Sequence, residues 1–188
     1  MSSRSVFPSD TAPDIMAFFE SWEDLPLDGG SGPGLVPRLS DYLDAAPPNL
    51  QPNVTIVDVY GPDRMVVRLF GTGLETISGL APTTHDLMTL YGPEVRAMAQ
   101  RLVWTTVSHP TGYVCTRHVR TKSGLILDCP AIGLPIGVDD PNMKCFITYA
   151  SIANAKDALA ARDSFVVVQD VRFEHWIDIG AGTPDSAP

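Results

Sequence analysis

RLFGTGLETISG, residues 68 to 79, decides between two kinds of fold. An apolar stretch runs into Gly71-Thr72-Gly73 and then into a short, mostly polar segment carrying Leu74 and Ile77. A dinucleotide-binding loop needs G-x-G-x-x-G between a parallel strand and a long helix, so that pyrophosphate meets the helix N-terminus. Here Thr76 stands at the third glycine position, the P-loop lysine is missing, and the next strand-like run lies far downstream. The spacing therefore predicts no phosphate cradle. The glycines instead let the chain turn off a strand and start a helix at close quarters.

On the N-terminal side, NVTIVDV and RMVVRLFG flank Tyr60-Gly61-Pro62-Asp63, a turn between two β-branched runs, which predicts an antiparallel pair. Before them, PRLSDYLDA predicts a short helix stopped by Pro47 and Pro48. LDGGSGPG, residues 27 to 34, reads as a linker. Residues 10 to 24 predict a helix, with Thr11 and Asp14 as a capping box and Pro13 in the first turn. Its residues Ile15, Phe18, Phe19 and Trp22 form one apolar stripe. Such a stripe covers either the chain's own sheet or a partner subunit, which makes these four the dimer-interface candidates.

On the C-terminal side, residues 72 to 92 predict small helices and turns. PEVRAMAQRLVWTTVSH predicts a longer helix starting at Pro93, with Val95, Met98, Ala99, Leu102, Val103 and Thr106 on one face. YVCTRHVRT, LILDCPAIGLPI and KCFITYASI predict three strands, joined through Lys122-Ser123-Gly124 and GVDDPN. A short Ala-rich helix near residues 154 to 163 and an extended FVVVQDVRFEHWIDIGAG complete the chain. Sequential strands with helices grouped between them predict an α+β fold with an antiparallel sheet.

The 188 residues suit one domain with extensions. The net charge of −9 argues against a general nucleic-acid binder, which gains affinity by neutralising phosphates. The three cysteines, Cys115, Cys129 and Cys145, are widely spaced inside strand-like runs, which predicts buried reduced thiols. Asp14, Glu20, Glu23 and Asp24 break any signal-peptide core near the N-terminus, and no window is apolar enough for a membrane span. A soluble, cytoplasmic protein is expected.

Several motifs resemble a PAS-type domain family common in alphaproteobacteria. PRLSDYLDAAPPNLQPNVTIVDVYGPDRMVVRLFGTGLETISG is similar to that family's opening: Arg38 and Asp41 in the lead-in, then Arg68, Gly71 and Thr72 as its R-x-x-G-T strand end, then Gly79. GLPIGVDD (residues 133 to 140) resembles its L-P-L segment, and IDIGAG (residues 177 to 182) resembles its C-terminal IDLGAG. LAPTTHDL stands where the family has a second glycine after the first helix. The resemblance implies a five-stranded antiparallel sheet with helices over one face, plus the N-terminal amphipathic helix. It divides the chain into an N-terminal helix and linker (1–34), a PAS-like domain (35–152), and a C-terminal helix and extended tail (153–188). It also implies a small molecule held between sheet and helices, or pairing with another copy through the N-terminal helix.

Covalent chemistry finds little footing. Cys115 with His109 or His118 gives a nucleophile and base with Asp128 as the orienting acid, but no strained elbow or oxyanion loop marks the pair. His85, His109, His118 and His175 are scattered, without metal-ligand spacing, and the cysteines lie on strands rather than in a flavin-adduct helix. The cofactor is left unknown. Arg117, His118, Arg120 and Lys122 form a basic run in which Arg117 and His118 point to opposite faces. Arg68, read as lying on a central strand, pairs with an acid such as Asp58 or caps a ligand carboxylate. Trp104, Tyr113 and Tyr149 line an aromatic pocket or serve as plain core. The pocket candidates are Arg68, Thr72, Trp104, Tyr113, Cys115, His118, Cys129 and Tyr149.

The expectation is a stand-alone PAS-like sensory or ligand-binding module. It would act through a possible small-molecule ligand, a homodimer or a separate regulatory protein. Two alternatives are a structural interaction adaptor without a ligand and a small cone-shaped α+β isomerase or hydratase.

Overall fold

β1 (Val54–Gly61) and β2 (Arg64–Phe70) pair antiparallel around the expected turn in the computed structural model, which describes residues 7–8, 10–27, 35–153 and 163–188. The next strands are β3 (Gly112–Thr121), β4 (Ile126–Ile136), β5 (Lys144–Ala150) and β6 (Phe165–Ile177). They form one six-stranded sheet in the order β2-β1-β5-β4-β3-β6, antiparallel throughout. The protein is α+β.

The sheet has one strand more than expected. The segment read as an extended tail is β6, which pairs with β3 from Gly112↔Ile177 to Thr121↔Phe165. Three register irregularities interrupt that ladder, so the apolar residues of β6 lose the period of two that marks a strand in a sequence. The sheet therefore runs across the expected boundary at residue 153. Residues 28–34 of the linker expected at 27–34, and most of the Ala-rich helix expected at 154–163, lie outside the described residues.

Helices cover both faces, not one. β4 is buried on both sides from Ala131 to Ile136, and a strand apolar on both faces needs two covers. One face takes Val54, Ile56, Ile132, Leu134, Cys145 and Ile147 under α1 (Pro13–Glu23) and α2 (Leu39–Ala45). The other takes Val57, Val59, Tyr113, Cys115, Ala131 and Phe146 under α3 (Thr72–Ser78), a 3₁₀ turn (Leu87–Leu90) and α4 (Arg96–Ser108). α4 starts three residues after Pro93, and Ala99, Leu102, Val103 and Thr106 of its expected face are buried.

α1 spends its stripe on the chain's own sheet. Ile15, Phe18, Phe19 and Trp22 are all buried, Phe18 stacks on Tyr149 with ring centroids 5.2 Å apart, and Trp22 Nε1 donates to the Pro135 carbonyl at 3.0 Å. These four dimer-interface candidates thus face inward. The expected capping box does not form, because Ala12 is the N-cap residue and no side chain caps the helix. Asp14 instead accepts hydrogen bonds from the Ile15 amide at 3.1 Å and the Tyr149 hydroxyl at 3.0 Å.

The opening stretch folds as its glycines predict. Gly71 is the N-cap of α3, and a Cβ there would lie 2.3 Å from the Pro52 carbonyl oxygen; one at Gly73 would lie 2.5 Å from Asn53 Oδ1. α3 ends at Gly79, whose φ of 66° is the left-handed conformation of a helix C-cap.

Candidate functional site

β3 sets out the site by simple alternation. Tyr113, Cys115, Arg117 and Val119 point toward α4 and the 3₁₀ turn, and Thr116 and His118 point the other way. Past the end of α4 the sheet loses its close-packed cover, and a half-enclosed cavity of about 90 Å³ remains. Its floor includes Thr55, Arg117, Cys129 and Thr148; Leu74, Leu87 and Leu90 roof it, and Phe165 to Val168 at the start of β6 form its side.

Arg117 is the charged residue of this cavity. Its Nη2 donates to Thr148 Oγ1 at 2.9 Å, and Thr148 donates in turn to the Ile132 carbonyl at 2.8 Å. Tyr91, Tyr113 and Cys115 lie close by. No carboxylate among the described residues forms an ion pair with it. Burial works against the charge, but the net direction at this site is upward and an arginine guanidinium keeps its proton throughout the ordinary pH range. Its neighbours are held neutral: burial pushes the Cys115 thiol up to about 11 against the pull of Arg117, and burial also raises Tyr91 and Tyr113.

The expected pocket residues are dispersed. Cys129 lines the cavity, directly across the ladder from Arg117. Tyr113 and Cys115 are buried beside Arg117, and Tyr113 also stacks on Phe146 at 6.0 Å. Trp104 lines a separate groove of about 420 Å³ at the opposite end of the sheet, with Tyr60, Pro110, Pro135 and Met143. Tyr149 lies on the α1 face, between Asp14 and Asn53. His118 shares that face, 3.8 Å from Asp128, so it cannot serve Cys115 as a base. Thr72 is exposed and its carbonyl accepts from Thr76. Arg68 takes the paired alternative, its Nε 2.7 Å from Asp58 Oδ1; it sits on the edge strand β2, not on a central one.

The thiols Cys129 and Cys145 are pushed up to about 11 and about 12, in each case by burial first. His109 Nε2 meets the Gly182 carbonyl at 3.2 Å and His85 Nδ1 the Thr83 carbonyl at 3.1 Å. Among the described residues no three His, Cys, Asp or Glu side chains gather as a metal site. No helix among them is long and apolar enough to cross a membrane.

Thr148 and Tyr91 are absent from the sequence-derived candidates, and Arg117, named there in the basic run, is not among the pocket residues. The signal for Arg117 lay in the alternation itself, which puts its charge on the same face as Tyr113 and Cys115, the apolar side of β3. Thr148 and Tyr91 had no such signal, since their roles come from strand neighbours and a loop distant in sequence.

No protein-family model and no curated protein matches the chain.

Proposed function

We propose that this chain is a PAS-like sensory module of the cytoplasm. It binds a small molecule between its sheet and the α3–3₁₀ roof and passes the event on through association with a second protein or a second copy. The observation that carries this is the cavity itself: an apolar enclosure with convergent polar groups and a charged anchor on its floor, which is the general form of a small-molecule site. The strand order supports it, with the β2-β1 pair flanking β5-β4-β3 in one open sheet. The raised thiols favour binding over nucleophilic chemistry, because little thiolate exists near neutral pH.

β5 supplies a physical route from cavity to surface. Thr148 contacts Arg117 on the cavity face, and its neighbour Tyr149 stacks on Phe18 and donates to Asp14 of α1 on the other face. A ligand that moves Arg117 and Thr148 therefore biases how α1 sits on the sheet.

Native mass spectrometry of freshly purified protein tests the proposal, since it reads a retained small molecule and the subunit number together. A bound small molecule, or a mass that changes with a metabolite panel, is expected. A bare, unresponsive monomer whose amide exchange is also unchanged by the panel would defeat the sensory reading. The adaptor alternative then gains, and the open groove beside Trp104 is the surface favouring it.

A further inference from the structure

We infer that the cavity takes a short aliphatic carboxylate, held by the Arg117 guanidinium with its carbon chain against the leucine roof. This rests on the cavity being a ligand site and adds the chemistry of the ligand. Thr148 offers Arg117 a neutral oxygen, which orients the guanidinium but cancels none of its charge. A half-buried charge facing no described carboxylate is held at a cost, and an entering anion offsets that cost. A carboxylate fits best because the planar guanidinium fork presents two parallel N–H donors to its two oxygens.

Size and lining fix the remainder of the molecule. The cavity of about 90 Å³ is smaller than the engineered ~150 Å³ cavity that admits benzene, so roughly three to five carbons fit. Leu74, Leu87, Leu90 and Val168 are aliphatic, and among the described residues no second cation lines the space to meet another acid group. A second acid group would meet no cation in this lining, which favours a monocarboxylate.

The test uses the full chain with sodium butyrate, the neutral isostere butyramide, and sodium chloride at matched ionic strength. Binding is read by calorimetry and by the shift in melting temperature. Butyrate is expected to bind at least about tenfold more tightly than butyramide, and Arg117→Met to erase that preference. Leu90→Phe keeps the arginine but fills the cavity, and should lose butyrate binding while remaining folded. Equal binding of butyrate and butyramide overturns the carboxylate assignment and leaves the cavity standing as a site. Binding of neither ligand, together with a bare native mass, overturns both. Butyrate binding retained in Leu90→Phe places the anion elsewhere and overturns the inference. So does an Arg117→Met protein that keeps the butyrate preference over butyramide, because the anion is then held by another group.

Discussion

Gly71 lies so close to the Pro52 carbonyl that a Cβ on it would come within 2.3 Å of the oxygen. The contact is backbone against backbone, at the point where β2 ends and α3 begins. Neither partner can rotate away. Gly71→Ala is therefore expected to cost about 2–3 kcal/mol, the upper part of the range for overpacked sites. Gly61→Ala is the control: nothing lies within 4 Å of its Cβ position, and its effect should stay within about 0.5 kcal/mol. Urea denaturation of the two variants measures the difference. Equal stabilities would show that the Gly71 turn is set by something other than this approach.

Arg68 and Asp58 form a 2.7 Å ion pair across the β1–β2 ladder, with the arginine side chain 38% exposed and the aspartate 14% exposed. Solvent reaches the cation, so screening limits the pair. A double-mutant cycle with Arg68→Met and Asp58→Asn should give a coupling of about 0.5–1 kcal/mol. The coupling should shrink in about 1 M salt, where the Debye length falls to roughly 3 Å. A salt-independent coupling of several kcal/mol would mark a far more desolvated pair than this geometry describes.

What the sequence made legible follows from the range of each interaction. The β1–β2 hairpin, α4 and the turn at Gly71 depend on residues near one another in the chain, and their patterns could be read directly. β6 could be read as extended but not as part of the sheet, because its bulges break the alternation and its partner β3 lies more than forty residues upstream. The side of the sheet that α1 covers was equally hidden, since a stripe such as Ile15, Phe18, Phe19 and Trp22 states that it must be buried but not against what. The site divides in the same way. The Arg68–Asp58 pairing follows from adjacent strands, and the burial of Cys115 and Cys129 from their apolar surroundings. The cavity exists only because β6, the 3₁₀ turn and β5 converge on Arg117.

Phe18 is fully buried between Tyr149 and Tyr42, so the stability of α1 and that of the sheet share one core. Phe18→Ala should cost about 3–5 kcal/mol and leave a single cooperative melting transition. Glu20→Ala, on the exposed side of the same helix, should change stability by no more than about 0.5 kcal/mol. Light scattering alongside the melt separates the two uses of the stripe. If Phe18→Ala kept its melting temperature but lost mass in solution, the stripe would be serving a partner.

The last prediction concerns alkaline pH, where the buried thiols and one phenol act together. Burial pushes Cys115 and Cys129 from their ordinary 9.0 to about 11 and Cys145 to about 12. Tyr149 rises from 10.0 to about 12, through burial first, with Asn53 pulling it down and Asp14 pushing it up. Each raised group holds its proton more tightly in the folded chain than in the unfolded one. Its contribution to stability is whole below the unfolded value and is lost as pH climbs through the folded one. The urea midpoint should therefore begin to fall above pH 9, where the unfolded thiols ionise, and continue falling toward pH 11 to 12. The same physics predicts that a disulfide reagent in mildly alkaline buffer labels the native thiols far more slowly than those of the urea-unfolded chain. Replacing Cys145 with Ala, at a core cost of its own, should flatten part of the alkaline slope while lowering the plateau. A midpoint that stays level to pH 11, or rapid labelling of all three native thiols, would mean that these side chains meet water in the folded protein.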